Sequence, residues 1–128
     1  MKAVFLSFAE EDAKQAKDLM PLLENPQYSL DFYDGSATDE CGGELTEPAR
    51  RAIGEKIVRS DITVCLIGEN THKSRRVDCA LQKTRNKGNK IIAMALKKVE
   101  SATLPAVIRE ENLKFYRWDP KKLAQLIA

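Results

Sequence analysis

Apolar and polar positions alternate along this chain in two different rhythms, short apolar runs and stripes of helical period. Residues 2–8 (KAVFLSF) make the first run and predict a strand. Beyond it, Ala13, Ala16, Leu19, Met20 and Leu23 recur at spacings of three and four, which places them on one helical face. Pro21 lies inside that stripe and predicts a kink or an early end to the regular helix, because it offers no backbone N–H. Residues 28–33 (YSLDFY) predict a second strand, stopped by the turn residues Asp34, Gly35 and Ser36, and a long polar loop runs from there to about residue 46. Thr46 is a suitable N-cap, Glu47 suits the positive end of a helix and Pro48 is tolerated in its first turn, so a helix is expected to about residue 59 with Ala49, Ala52, Ile53 and Ile57 inward. Residues 62–67 (ITVCLI) are almost wholly apolar, the pattern of a central strand covered on both faces. After a loop at 68–73, Ser74 can cap a helix to about residue 86 that buries Val77, Ala80, Leu81 and Thr84, and Gly88 ends it. Residues 90–96 and 113–118 predict two more strands, and Pro120 opens a last helix carrying Leu123, Leu126 and Ile127.

Five strands interleaved with four helices, with no internal repeat, predict an α/β fold: a parallel sheet with helices on both faces. A chain of 128 residues suits a single domain, 1–128, able to bury a core without disulfides or metals. The first residues lack the pattern of a signal peptide or a membrane span. Cys41, Cys65 and Cys79 are odd in number and form no C-x-x-C pair, so reduced thiols and a cytoplasmic location are expected.

The net charge of +2 hides a segregation, since residues 1–48 hold three Lys/Arg against eleven Asp/Glu and residues 49–128 hold eighteen against eight. The basic half has no interleaved aromatics, which argues against a groove for stacked nucleic-acid bases. A solvated surface accounts for most of these charges, and the asymmetry also suits head-to-tail self-association.

VFLSF followed by EED, the DGS turn, ITVCLIG running into ENTHKS with its helix, and the strand KIIAMAL together resemble the TIR-like domains of Thoeris-type bacterial and archaeal anti-phage proteins. The resemblance covers nearly the whole chain in order. It implies a flavodoxin-like TIR fold with sheet order 2-1-3-4-5 and a ligand mouth at the carboxyl ends of the strands. Those ends supply Ser7 and Phe8, then Asp34, Gly35 and Ser36, then Gly68, Asn70, Thr71 and Ser74, with Arg76 in the first turn of the following helix. The resemblance further implies an NAD glycohydrolase or cyclase that makes ADP-ribose or a cyclic isomer as an immune signal, with NAD as substrate and no cofactor or metal. An effector protein reached through that nucleotide is implied too.

Nicotinamide is already a cationic leaving group, so one carboxylate that favours positive charge on the ribosyl carbon can suffice. The family pattern resembles S-x-W-V-x-x-E, and residues 74–80 here read SRRVDCA. Ser74 and Val77 match it, Arg76 stands in place of an aromatic residue, and Ala80 occupies the position of the Glu. Asp78 is no substitute, because two residues of helix turn it to nearly the opposite side. Ala80 therefore marks either an enzyme whose carboxylate has been replaced or a non-catalytic signalling scaffold that self-associates.

The other candidates have plainer readings beside the functional ones. Phe8 either underlies a nucleotide ring or belongs to the core; Asp34 and Ser36 are ordinary turn formers; Asn70, Thr71 and Ser74 sit where a helix N-terminus favours an anion. His72, the single histidine, has no Cys or His at ligand spacing and reads as a surface loop residue, while Tyr116 and Trp118 read as packing in the last strand. A receiver domain of similar architecture would need an acceptor Asp at the end of the 62–67 strand, where the chain has Ile67, Gly68 and Glu69. Nucleoside deoxyribosyltransferases, with an equally loose carboxylate pattern, remain open.

Overall fold

The computed structural model describes residues 1–35 and 39–128. Five parallel strands form its main sheet: β1 (Lys2–Ser7), β2 (Tyr28–Phe32), β5 (Ile62–Ile67), β6 (Lys90–Ala95) and β7 (Phe115–Tyr116), in the spatial order β2-β1-β5-β6-β7. Setting aside a small separate hairpin, this is the expected 2-1-3-4-5 order, with the ITVCLI strand central and buried at all six positions.

Period-two alternation divides the core between the two faces of the sheet. Val4, Leu6, Val64, Leu66 and Met94 point to one side, where α1 (Ala13–Leu23) and α5 (Pro120–Ile127) cover them with Leu19, Leu23, Leu123 and Ile127. Phe5, Cys65, Ile67 and Ala93 point to the other, against α2 (Glu47–Val58), α3 (Arg75–Lys87) and α4 (Ala106–Glu110). Burial of Cys65 pushes its thiol up to about 12, so it behaves as a small apolar core residue. Phe8 joins the first layer, with its ring centroid 5.9 Å from that of Phe32.

The local signals work as the sequence suggests at both long helices of the second layer. Thr46 Oγ1 accepts from the Ala49 N–H and Ser74 Oγ from the Val77 N–H, while Gly88 ends α3 at φ +83°. Helix α1 ends at Leu23, two residues beyond the exposed Pro21, in keeping with an early end to the regular helix. Three expectations need correction. The expected polar loop contains a two-stranded antiparallel hairpin, β3 (Glu40–Cys41) and β4 (Glu44–Leu45), turned by Gly42 and Gly43 at φ +60° and +80°. Helix α4 is additional; its Val107 and Ile108 fill the second layer. The last strand is two residues long rather than six, because the Leu113 N–H is drawn back to the Ile108 carbonyl and Asp119 already caps α5. Tyr116 and Trp118 still pack, half-buried, against the first layer.

Candidate functional site

At the carboxyl end of β1 the chain passes through Ser7 and Phe8, both buried, beside Tyr33, which directly follows β2. The first turn of α3 brings Arg76 to the same place. These residues, with Phe5, Leu6 and Ile53, line a cavity of only about 10 Å³. That is about the room a single water molecule needs.

Arg76 is the reason. Its guanidinium lies 5.3 Å from the centroid of the Tyr33 ring and donates to Asp39 Oδ2 at 2.7 Å, with side-chain exposures of 14% and 8% for the two partners. Arg76 Nε stands 3.4 Å from Glu10 Oε1, a looser pairing at the solvent edge. Tyr33 completes the cluster by donating its hydroxyl to Asp39 Oδ1 at 2.6 Å. Burial, and then this bond to a carboxylate, pushes the Tyr33 phenol up to about 12. Gly35 belongs to the same assembly: at φ +45°, a Cβ there would fall 2.1 Å from an Arg76 nitrogen and 2.5 Å from Asp39 Oδ2. A side chain at position 35 and the Arg76–Asp39 pair cannot share that space.

The other sequence candidates are engaged elsewhere. Asp34 pairs with Lys17 of α1 at 2.9 Å, away from the cavity, and Ser36 lies outside the described residues. Gly68 is buried; its N–H donates to the hydroxyl of Thr71, and its missing side chain leaves room for the Asp12 carboxyl. That carboxyl is raised above its ordinary 3.8 by desolvation first and by the neighbouring Glu11 and Glu69 charges, against a lowering bond from Thr71. Asn70 donates to Glu11 at 3.3 Å, and the hydroxyl of Ser74 is committed to its cap. His72 is half-buried in a single 3-10 turn, Thr71–Lys73, rather than freely exposed. Among the described residues no group of three His, Cys, Asp or Glu side chains is placed to hold a metal.

Ala80 sits one turn beyond Arg76 on α3. It is 1% exposed and packed among Phe5, Leu45, Ala49, Ile53 and Cys79, in the apolar layer directly beneath the cavity. Phe5 and Ile53 belong to both its surroundings and the cavity wall. Asp78, as its helical phase requires, lies on a different side, accepting from Gln82 beside Arg50 and Lys83. The sequence reading missed Tyr33, Asp39 and Glu10 as members of this site. Tyr33 carried a usable signal, an aromatic residue at a strand's carboxyl end; Asp39 carried none, being one acid among several in a polar segment.

A family model described as "Thoeris protein ThsB, TIR-like domain" matches residues 5–101. No curated protein matches the chain. Among solved structures, the TIR domain of the Toll-related receptor TRR-2 from Hydra magnipapillata aligns over 97% of this chain and 90% of its own, with a TM-score of 0.62 at 18% identity. The TIR domains of the activated Roq1 resistosome, which directly recognises the pathogen effector XopQ, align over 99% and 97%, with a TM-score of 0.57 at 17% identity. At such identities these two structures speak to the fold.

Proposed function

We propose a signalling role without NAD cleavage for this chain, which belongs to the TIR-like domain family of the Thoeris protein ThsB. Membership implies a part in immune signalling, and the anti-phage setting follows the family. The observation that carries the reading is the state of one helical face. Positions 76 and 80 both depart from the S-x-W-V-x-x-E pattern, and together they leave a mouth closed by the Arg76 ion pair with no carboxylate at position 80. Arg76 fills the space with an ion pair, and Ala80 offers neither charge nor hydrogen bond to a ribosyl cation. On this reading the chain acts by binding and by association with other TIR domains rather than by turnover.

The enzyme reading has its own support, because Ser7, Phe8, Tyr33 and Arg76 do meet at the carboxyl ends of the strands, where this architecture takes ligands. Nicotinamide release from NAD separates the two. The unaltered chain should release none above background. Ala80→Glu alone is a poor restoration, since a Glu four residues after Arg76 lies within its reach and would be neutralised by it. Arg76→Trp combined with Ala80→Glu removes that pairing, and the folded double variant should exceed the parent by on the order of 10² to 10³ in rate, the usual worth of one preorganised electrostatic group. NAD turnover by the unaltered chain would overturn the reading.

A further inference from the structure

A trough runs along the outer surface of the second helical layer, between α2 and α3. Three adjoining recesses of about 610, 160 and 400 Å³ make it up, and Lys83 borders all three. The 12 residues of α2 give it a length of about 18 Å. Its walls carry six cations, Arg50, Arg51, Arg59, Arg75, Lys83 and Lys87, against three acids, Glu47, Glu55 and Asp78. Two of those acids are engaged, Glu47 with Arg51 and Asp78 with Gln82, and Lys87 is held 2.7 Å from the carbonyls of Val58 and Ser60 at the end of α2. Among the described residues Arg59, Arg75 and Lys83 make no ion pair or side-chain hydrogen bond, so the trough keeps cationic charge that its own chain leaves unneutralised.

The floor is apolar. Leu45, Ile57 and Cys79 lie at its base, and Val58, 70% exposed, closes one end. Gly54 keeps the floor open, although nothing local asks for a glycine. It lies inside α2 without a left-handed φ, and a Cβ there would meet only the Lys83 side chain, at 3.5 Å, an ordinary contact. Glycine is among the poorest helix formers, so a site with room for a methyl group gives up helix stability by lacking one. What the missing side chain provides is depth between Arg51 and Lys83.

We propose that this α2–α3 trough is the docking site for an acidic amphipathic helix of a different protein. Two helices lying side by side leave a furrow that a third can fill, and an apolar floor with charged walls is matched by apolar residues at spacings of three and four flanked by the opposite charge. The partner's apolar stripe would rest on Gly54, Ile57 and Val58, and its acids would meet Arg59, Arg75 and Lys83. The proposal rests on the reading of the chain as a module that acts by binding, and it names the chemistry of what is bound. Nucleic acid fits less well, because no aromatic side chain lines the trough to stack a base and the floor offers a phosphate nothing.

The probe is a labelled synthetic peptide of about 14 residues, roughly 21 Å long as a helix, with Leu at spacings of three and four and Glu on both flanks. A second peptide has the same composition with its Leu residues scattered round the helix. Fluorescence anisotropy at low salt should show saturable binding of the first to the unaltered chain and roughly tenfold weaker binding of the second. Arg59→Glu with Lys83→Glu should weaken the first peptide by roughly tenfold or more, because like charges then face each other. Gly54→Leu should weaken it as well, by filling the floor at unchanged charge. All three positions lie outside the buried core, and circular dichroism verifies folding. Lys121→Glu with Lys122→Glu, an equal change of charge at exposed positions of α5 across the sheet, should leave binding as it is. Gly54→Ala should melt above the parent; a lower melting temperature would mean that the fold itself requires the glycine, and the argument from depth fails. The proposal is overturned if the unaltered chain binds neither peptide, if the scattered peptide binds as well as the striped one, or if the α5 variant loses as much as the trough variant. A single-stranded oligonucleotide that displaces the peptide at equal concentration overturns it in favour of phosphate, and trough variants that instead dissolve self-association of the parent make a second copy the occupant. Nicotinamide release is read separately: turnover by the unaltered chain would overturn the non-catalytic reading, whereas failed peptide binding without turnover removes this interface alone.

Discussion

At the scale of single residues, the mouth shows how a polar cluster can do the work of a lid. Arg76 hydrogen-bonds Asp39, lies near the Glu10 carboxylate and covers an aromatic face, and the pair it makes with Asp39 is nearly excluded from water, where charge-assisted bonds exceed neutral ones. Asp12 is a less settled case. Its Oδ2 is buried without a hydrogen-bond partner among the described residues, and its carboxyl is raised by desolvation, then by Glu11. Because the folded chain holds this proton to higher pH than the unfolded chain, whose value is near 3.8, stability falls as pH rises through that window. Asp12→Asn should therefore raise the melting temperature by a few degrees at neutral pH, and the advantage should fade as the pH drops below about 4, where the parent's carboxyl is protonated in both states. Thermal melts across that range are the measurement, and a variant less stable at neutral pH would show that the charged form is needed. In the sequence, the candidate site was legible at Ser7, Phe8 and Arg76, which strand ends and helix phase bring together. It was not legible at Asp39, because a long-range ion pair leaves no periodic trace, nor at Asn70, whose side chain is taken by distant Glu11, or Ser74, whose hydroxyl caps its own helix.

Elements that repeat a pattern over several residues were readable, and those that depend on a single turn were not. The central strand, the two capped helices of the second layer and the parallel order all follow from burial and capping. The hairpin escaped because its strands are two residues each, too short for alternation to show, although Gly42-Gly43 is turn chemistry suited to a tight reversal. Helix α4 escaped for the same reason, with five residues and one buried Val-Ile step. The segment after β2 is held by a backbone requirement as much as by its ion pair. Gly35 has φ +45° and no room for a methyl group beside Arg76. Gly35→Ala should cost about 1–3 kcal/mol in chemical denaturation, combining left-handed strain of roughly 1–2 kcal/mol with displacement of the guanidinium. In an Arg76→Ala background the clash with the guanidinium is gone and the strain and the approach to Asp39 Oδ2 remain, so the same substitution should cost less. Equal costs in the two backgrounds would mean that the contact with Arg76 contributes nothing.

For the molecule as a whole, the carboxyl edge of the sheet is closed by its own side chains. A nucleotide entering that edge must first break the Arg76–Asp39 pair, so its apparent affinity is lowered by the fraction of time the pair is open. Hydrogen bonds involving charged groups contribute about 1.5–3 kcal/mol, which corresponds to roughly 10- to 100-fold in that fraction. Removing Arg76 alone would leave the Asp39 carboxylate facing an anionic pyrophosphate, so the informative variant is Arg76→Ala with Asp39→Asn, which keeps an acceptor for Tyr33. A ligand that binds only the folded state stabilises it by RT ln(1 + [L]/Kd), and a domain of this size gains a few degrees per kcal/mol. At millimolar NAD or ADP-ribose, the double variant should therefore melt several degrees higher than without ligand, and the parent should shift by less. If the two forms shift equally, the ion pair does not guard the mouth, and the nucleotide enters by another route or binds elsewhere on the fold.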